Sequence, residues 1–269
     1  MPTLDDLRDR FSPSDRMPLV FIGHGSPMNA IEDTAFSRAW TDLGRRLPRP
    51  KAILVVSAHW MTQGTTLVDV SAMPRTIHDF YGFPQALYDQ QYTAPGAPEL
   101  AREVATLLAS HRTAEDDTWG LDHGAWAILK FLYPQADVPA FQVSIDMGRG
   151  LAHQLEIGKA LSELRHRGIL ILGSGNVVHN LRTMKIGSRP FDFATEFDTI
   201  FADRLTDRDF AALADTQVLG ALLPEAHPTV DHYMPALTIA GASDARDTLS
   251  FMTDAIELGS VSMRSFVFH

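Results

Sequence analysis

The sequence feature that most constrains the fold is a set of three short apolar runs, each followed by a histidine. The runs cover residues 18–23, 52–58 and 168–173, and the histidines that follow them are His24, His59 and His179. Short apolar runs bounded by turn residues are typical of buried strands. In open α/β sheets, ligands bind beyond the carboxyl ends of the strands, where loops converge. The sequence therefore predicts an α/β sheet with one site at that edge, and the histidines indicate a metal site.

The segment between the first two of these strands has the periodicity of a helix. Apolar residues recur at helical spacing between residues 36 and 47, and Pro48 ends the pattern. A strand–helix–strand unit of this kind gives parallel strands through a right-handed crossover. We expect a single α/β domain over residues 1–269, with residues 1–16 as a polar lead-in. Its central sheet is expected to be mostly parallel or mixed and flanked by helices.

Further elements are expected along the rest of the chain. Strands are predicted near residues 65–70, 141–146 and 261–268, and helices at 4–11, 98–108, 125–132, 151–167, 191–205, 210–214, 218–223 and 236–240. The strand at 261–268 is expected at an edge of the sheet or closing it. Residues 60–97 form a long loop region rich in aromatic residues, and loops of that length in a compact domain are usually functional.

The composition excludes several kinds of site. The net charge is −10 and lysine and arginine do not cluster, which argues against a nucleic-acid partner. Because the chain has no cysteine, disulfides, thiolate zinc sites and iron–sulfur clusters are ruled out, and a metal would need nitrogen and oxygen ligands. Neither an 18-residue apolar run nor a signal-peptide core is present, so we expect a cytoplasmic protein that does not enter a membrane. The sequence does not indicate an oligomeric state.

The first two candidate ligands are the histidines at the ends of the first two strands. His24 has a glycine on each side, which allows a ligand or another backbone to approach closely. His59 is followed by Trp60. Either histidine alone could be a buried structural residue, but two at equivalent strand ends favour a shared site.

A third ligand is expected from a proline-bounded segment near the C-terminus. The segment contains Asp231 and His232 between Pro228 and Pro235, and His227 directly before the first proline. The two prolines restrict its backbone. Imidazole and carboxylate with open positions form the ligand set of iron(II) or zinc sites that keep an exchangeable water. The residues alone leave open which of the three side chains binds.

Other histidines are candidates for proton transfer or substrate contact. His123 is a candidate proton-transfer group, since histidine titrates near neutrality. His179 follows a Gly-Ser-Gly segment that lacks the remaining residues of a dinucleotide or phosphate loop, and no Gly-x-Ser-x-Gly elbow is present. His78, in an aromatic loop, suits packing and substrate contact equally. The histidines expected at the surface are His111, His153, His166 and His269.

Six short motifs carry a family resemblance. In chain order they are His-Gly-Ser-Pro at 24–27, Ser-Ala-His-Trp at 57–60, His-Asp-Phe-Tyr-Gly-Phe-Pro at 78–84, Leu-Asp-His-Gly-Ala-Trp at 121–126, Gly-Ser-Gly-Asn-Val-Val-His-Asn-Leu at 173–181 and Pro-Thr-Val-Asp-His-Tyr-Met-Pro at 228–235. They resemble the class III extradiol ring-cleavage dioxygenases, in the DOPA 4,5-dioxygenase-like subgroup related to the catalytic subunit of protocatechuate 4,5-dioxygenase. The resemblance runs from about residue 17 to the C-terminus.

The resemblance implies a role for each of these histidines. A mononuclear non-haem iron(II), or zinc as in some members, would be held by His24, His59 and His232, the last at a position where protocatechuate-type relatives use a glutamate. His179 takes the position of the active-site base and is a possible fourth ligand, and His123 is a second active-site histidine. The residues expected to contact the substrate are Trp60, His78, Phe80 and Tyr233.

The implied reactants are a small-molecule, DOPA-like catechol and dioxygen, and the implied product is a muconic semialdehyde. Iron(II) can pass electrons between the two reactants, whereas zinc has no redox chemistry. Zinc in the purified protein would therefore mark an oxygen-inert site or a different reaction. Two other hypotheses stay open: a zinc-dependent hydrolase with His179 or Asp231 as base, and a metal- or ligand-binding protein without activity on the same fold.

Overall fold

The computed structural model describes residues 16–269, and the helix predicted at residues 4–11 lies outside that range. The strands are β1 (Leu19–Gly23), β2 (Ala52–Ser57), β3 (Met61–Thr62), β4 (Thr66–Asp69), β5 (Thr113–Asp116), β6 (Ala140–Gln142), β7 (Ile145–Asp146), β8 (Ile169–Gly175), β9 (Leu249–Thr253), β10 (Ile256–Glu257), β11 (Val261–Ser262) and β12 (Ser265–Phe268). The α-helices are α1 (Ala35–Arg46), α2 (Gln85–Tyr88), α3 (Pro98–Leu107), α4 (His123–Leu132), α5 (Leu151–Leu161), α6 (Asp192–Thr206), α7 (Phe210–Leu213), α8 (Thr216–Leu219), α9 (Leu222–Ala226) and α10 (Met234–Ala242). The 3-10 helices are Pro27–Ala30, Ala109–His111 and Ser162–Arg167.

Six strands form the central sheet, in the order β6-β2-β8-β1-β12-β9. The first four run parallel, whereas β12 and β9 run antiparallel to their neighbours. The predicted α/β class with a mixed sheet flanked by helices is therefore confirmed. Ile22 of β1 and Ser57 of β2 both pair with Ser174 of β8, so the carboxyl ends of these three strands lie side by side.

The parallel strands are buried on both faces. Leu19 and Phe21 of β1 pack into one apolar cluster with α5, α6 and α10, whereas Val20 and Ile22 pack into a second with α1 and α4. Each fully buried side chain of this size contributes about 1.5–3 kcal/mol relative to an exposed one. Strands covered on both faces are continuous apolar runs in sequence, which is why these strands could be identified there.

The predicted strand at 141–146 is two short strands in different sheets. β6 pairs with β2 through Gln142, after which Ile145 begins β7 and pairs with Met61 of β3. The amide of Ile145 donates to the carbonyl of Trp60 over 2.8 Å. The predicted strand changes its pairing partner because β2 ends at Ser57. Ile145 and Asp146 therefore pair with β3, the segment that follows β2 in the chain.

Other boundaries differ from the sequence prediction. β8 continues through the Gly-Ser-Gly segment to Gly175 instead of ending before it, because that segment keeps its parallel pairing with β1 and β2. The helix predicted at 151–167 changes to a 3-10 helix at Ser162, and the one predicted at 218–223 is interrupted at Gly220, whose φ is +55°. The predicted C-terminal strand is divided, and β12 lies inside the sheet with β9 at the edge.

Two helices on one face of the sheet approach at backbone distance. A Cβ at Gly158 of α5 would lie 2.0 Å from the carbonyl oxygen of Thr238 in α10, and one at Gly241 would lie 2.2 Å from that of Leu155. The hydroxyl of Thr238 also donates to the side chain of Gln154, 3.0 Å away. This close contact fixes α10, and therefore the segment that precedes it, against the sheet.

No helix of residues 16–269 is long and apolar enough to cross a lipid bilayer. The cytoplasmic location expected from the sequence stays a prediction.

Candidate active site

Five histidine rings converge beyond the carboxyl ends of β1, β2 and β8. The distances between ring centroids are 5.0 Å for His24–His59, 5.2 Å for His24–His232, 4.0 Å for His59–His123, 5.0 Å for His59–His232 and 3.5 Å for His179–His232. These are the residues that the sequence predicts as metal ligands and proton-transfer groups. The structure places them in one cluster although they come from five separate segments.

His24 follows β1 directly and is held on two sides by β8. Its amide donates to the carbonyl of Gly175 over 3.0 Å, and its Nδ1 lies 2.9 Å from the hydroxyl of Ser174. With Nδ1 occupied, Nε2 is the free nitrogen, and it lies 3.1 Å from Nε2 of His59. The strand end therefore aims one nitrogen of each ring at a common point.

Asp79 orients two of the rings at once. Its Oδ2 lies 2.9 Å from Nδ1 of His123 and 3.2 Å from Nδ1 of His59, and its Oδ1 accepts the amide of His123 over 2.8 Å. Burial acts to raise the pKa of Asp79, but the hydrogen bonds from His123 and the charges of His123 and His59 together outweigh it, and the pKa falls to about 2. The ionised carboxylate therefore draws the proton of both rings to Nδ1 and leaves both Nε2 atoms free. Histidine ligands in proteins are commonly oriented by a carboxylate in this way.

His232 is held in a similar way by its neighbour in sequence. Its Nδ1 lies 2.5 Å from Oδ2 of Asp231, and its carbonyl accepts the amide of Asn176, 2.9 Å away, just beyond β8. Its ring stacks on His179 with an interplanar angle of 8°. The backbone of His179 is fixed by a hydrogen bond to the carbonyl of Ala226 over 3.0 Å. The segment before α10 thus places His232 and His179 together at the sheet edge.

Two of the predicted residues lie in the apolar core instead. The ring of His227 packs against Phe197 and Tyr233, and its Nε2 donates to the carbonyl of Val177 over 2.7 Å. Tyr233 is fully buried, and its hydroxyl donates to the carbonyl of Leu213 over 2.9 Å. The structure therefore gives Tyr233 a packing position, against its prediction as a substrate contact. Among the three alternatives for the third ligand, His232 is the one whose ring joins His24 and His59.

Four of the five clustered imidazoles are held in their neutral form. Burial, followed by the neighbouring histidines, lowers the pKa of His24 and His232 well below the usual value near 6.5. Burial also lowers the pKa of His59 to about 3 and that of His179 to about 4. Neutral imidazole is the form that binds metals, so these rings are ready for a cation near pH 7 without first losing protons.

The donor atoms fit a metal ion. The ligand atoms of His24, His59 and His123 lie within 4.8 Å of one another, and so do those of His179, Asp231 and His232. Two imidazole nitrogens that share one ion at about 2.1 Å lie roughly 3.0–3.4 Å apart. The 3.1 Å between the Nε2 atoms of His24 and His59 is in that range. The site suits a borderline divalent cation with nitrogen-rich coordination.

Asp122 is a buried carboxyl behind the site that the sequence analysis did not single out. It caps α4 by accepting the amide of Ala125, and it accepts hydrogen bonds from Ser57 over 2.7 Å and from Gln142 over 3.0 Å. Burial raises its pKa to about 6, and the charge of Asp79 adds to the effect. Because it ties β2, β6 and the start of α4 together, Asp122 positions the segment that carries His123.

Aromatic side chains of residues 78–88 form one wall beside the site. The ring of Phe80 lies 5.6 Å from His123 and also contacts His78, Phe83 and Tyr88. Nε2 of His78 lies 2.9 Å from the carbonyl of Gln90, so His78 supports the loop from behind. Phe80 is therefore the aromatic side chain of this wall that contacts the histidine cluster.

Trp60 lies deeper than the aromatic wall. It is 3% exposed and stacks on Trp119 at 5.6 Å, and the indole nitrogen of Trp119 donates to Asp122. A ring covered in this way supports the residues around Asp122. Its predicted substrate contact stays a prediction.

The chain is similar over nearly its whole length to known proteins of one family. Residues 18–265 match the family model described as the catalytic LigB subunit of aromatic ring-opening dioxygenase. A protein of Escherichia coli (strain K12) named 4,5-DOPA dioxygenase extradiol is 45% identical over 266 residues, which cover 96% of this chain and 97% of the relative. One of the same name from Beta vulgaris is 35% identical over 255 residues, or 92% and 95% of the two chains.

A solved structure shows the same fold. The crystal structure of an uncharacterized protein from Escherichia coli K12 has a TM-score of 0.82 at 40% sequence identity, and the match covers 94% of this chain and 100% of that one. The family match extends over nearly the whole described chain, and it includes every strand end that carries a clustered histidine. The chain therefore belongs to the LigB family of class III extradiol, aromatic ring-opening dioxygenases.

Proposed function

We propose that this protein is a metal-dependent extradiol dioxygenase that opens the ring of a DOPA-like catechol with dioxygen and forms a muconic semialdehyde. The observation that carries the proposal is the convergence of five imidazoles, with Nδ1 of His24, His59, His123 and His232 each engaged by a hydroxyl or carboxylate. The name shared by the Escherichia coli and Beta vulgaris relatives supports DOPA as the kind of substrate.

His24, His59 and His232 would hold the metal. Their three rings lie within 5.2 Å of one another by centroid, and a hydrogen-bonding partner fixes each ring. Asp231 is engaged with Nδ1 of His232, so it orients a ligand and increases the basicity of the free nitrogen. Iron(II), when bound, supplies the redox chemistry between catechol and dioxygen, which zinc lacks.

His179 is proposed as the base that accepts a catechol hydroxyl proton. Burial lowers its pKa to about 4, so the ring is neutral near pH 7 and has a lone pair to accept a proton. Its backbone is held by Ala226, and its ring lies flat on that of His232. A fourth-ligand role for His179 would need the same free nitrogen, so the two roles exclude each other at any one moment.

His123 is proposed as the proton donor during ring opening. Asp79 accepts from its Nδ1, and a carboxylate in that position stabilises the imidazolium form that such a donor needs. Phe80 packs edge-on against His123 and excludes water on that side. The neighbouring aromatic rings suit the planar face of a catechol.

The test is oxygen uptake by iron-loaded protein. The protein is loaded with iron(II) without oxygen, and then L-DOPA or another catechol and dioxygen are added. We expect stoichiometric oxygen uptake and a yellow semialdehyde product, and we expect neither from His24→Ala or His59→Ala. His166→Ala, which removes an exposed histidine outside the cluster, is the matched control and should behave as the wild type.

Two outcomes would contradict the proposal. No uptake with any catechol at full iron occupancy would exclude the ring-cleavage reaction. Ester or amide hydrolysis by the zinc-loaded protein in the absence of oxygen would instead favour the hydrolase hypothesis.

A further inference from the structure

A second histidine group lies outside the active site, at the surface between α3 and α5. It consists of His111, His153 and Glu156, whose ligand atoms all lie within 4.8 Å of one another. His111 ends the 3-10 helix that follows α3, and the other two residues lie on α5. Both histidines were predicted at the surface, but His153 is only 4% exposed, because it faces the core side of α5 together with Gln154 and Ile157.

His153 is buried without enough partners. Its Nδ1 has one long contact, 3.4 Å from Oε2 of Glu156, and its Nε2 is buried without a hydrogen-bond partner. Buried polar atoms are normally paired, and leaving one unpaired lowers the stability of the fold. A ligand for this ring would offset that cost. Burial also lowers the pKa of His153, which keeps the ring neutral and able to bind a cation.

The three side chains converge because of local geometry. His153 and Glu156 are separated by one helical turn, so they lie on the same side of α5. The ring of His111 approaches that of His153 to 5.2 Å between centroids. The side chain of Glu156 is 64% exposed, so the group opens to solvent on its outer side. Two imidazoles and one carboxylate with an open outer position form a set that catalytic and accessory zinc sites use.

We propose that His111, His153 and Glu156 form a second divalent-metal site, suited to zinc, that joins the end of α3 to the start of α5. Nitrogen ligands favour zinc, nickel or copper over magnesium and calcium, which prefer oxygen. The exposed Arg149 acts on His153 from the solvent side, and its charge weakens cation binding without occupying the group. The site is independent of the proposed ring cleavage, and it needs none of the active-site histidines.

The test counts zinc ions in variants that keep or lose each site. After chelator treatment, wild-type protein should bind two equivalents of zinc in equilibrium dialysis. His24→Ala/His59→Ala, which disables the active site, should keep one equivalent. Adding Glu156→Gln or His111→Ala to that variant should remove it. Both substitutions are at exposed or half-exposed positions, so the fold is retained, and His166→Ala is the matched control that should change nothing.

Thermal unfolding gives a second readout that does not depend on turnover. Zinc should raise the Tm of His24→Ala/His59→Ala, and this shift should disappear with Glu156→Gln. The proposal is overturned if the active-site variant binds no zinc, or if its remaining equivalent and Tm shift survive both Glu156→Gln and His111→Ala.

Discussion

At the scale of single residues, Asp79 shows how much of the site depends on a side chain outside the group of clustered histidines. One carboxylate oxygen accepts from Nδ1 of His123 and lies 3.2 Å from Nδ1 of His59, although these histidines lie 44 residues after and 20 residues before it in the chain. Asp79 directly follows His78 in the aromatic loop and was not among the residues predicted for the site. A carboxylate between aromatic residues was the available signal, but its partners are defined only by the fold.

Replacing Asp79 with asparagine tests this orienting role. Both rings lie against Oδ2, whereas Oδ1 accepts the backbone amide of His123. In asparagine one of these two positions becomes an NH₂ group, so either both imidazoles or the backbone amide of His123 would face a donor instead of an acceptor. We expect metal binding by Asp79→Asn to be about 10–100-fold weaker, with a comparable loss of turnover. Metal titration followed by oxygen-uptake assays measures both.

Asp89→Asn is the matched control for this prediction, because Asp89 is a surface residue of the same region that bonds only Gln85 among the described contacts. It should leave affinity and turnover unchanged. Metal affinity of Asp79→Asn within twofold of the wild type would show that the carboxylate does not set the protonation of the rings.

His227 gives a prediction about pH. Burial lowers its pKa to about 4 from the value near 6.5 expected in the unfolded chain. Above pH 6.5 both states are neutral, but between pH 6.5 and 4 the unfolded chain gains a proton that the folded protein excludes. Its contribution to stability is therefore lost as the pH falls, at about 1.4 kcal/mol per pH unit. His227→Phe removes this pH dependence. The variant's deficit in the free energy of unfolding, relative to the wild type, should therefore be about 2 kcal/mol smaller at pH 5 than at pH 7.

Urea unfolding of both proteins at the two pH values measures that difference. His166→Ala, at an exposed position, should show the same small difference from the wild type at pH 7 and pH 5. An equal cost of His227→Phe at both pH values would mean that the ring is protonated with little penalty in the folded protein.

At the scale of elements, the strands that are buried on both faces of the sheet could be predicted from the sequence. β1, β2 and β8 are continuous apolar runs, and their histidine-bearing ends were expected at one edge. β9 is only partly buried along its length, and β3 and β10 have two residues each, so none of them has an apolar pattern that stands out. The sequence placed the end of β8 too early, because glycine is typical of turns. In the structure the last glycine of β8 instead allows the backbone of another segment to approach closely.

Gly175, the last residue of β8, shows why that glycine matters. A Cβ there would lie 2.2 Å from the carbonyl oxygen of His232, the atom that accepts the amide of Asn176. Gly175→Ala should therefore push the His232 segment away from the sheet. We expect a loss of about 2–3 kcal/mol in the free energy of unfolding, together with weaker metal binding.

Gly187→Ala is the comparison for this substitution. Gly187 has a φ of +73°, and no atom lies within 4 Å of a Cβ added there, so an alanine costs only backbone strain, about 1–2 kcal/mol. Denaturant unfolding and metal titration distinguish the two variants. Equal effects of both substitutions on metal affinity would show that close approach at Gly175 does not position His232.

At the scale of the whole molecule, the site is assembled from segments spread over most of the chain. The clustered histidines extend from His24 to His232, and Asp79 links two of them, His59 and His123. The sequence supplied the members of this cluster, because strand ends and proline-bounded loops mark them. It did not supply the partners of each ring, and it placed Tyr233 at the substrate although the chain buries it. Pairings between distant segments are fixed by packing, which local patterns do not encode.

A metal bound by His24, His59 and His232 should therefore stabilise the entire fold. An ion that binds only the folded state adds about 4 kcal/mol at a free concentration a thousandfold above its Kd, which for a domain of this size raises the Tm by roughly 10 °C. The measurement is best made in Glu156→Gln, so that the proposed second site does not contribute. Chelator should lower its Tm, and either zinc or anaerobic iron(II) should restore it, because stabilisation needs binding and not redox chemistry. The same variant with His24→Ala should show no such shift; a shift of equal size there would place the stabilising ion outside this cluster.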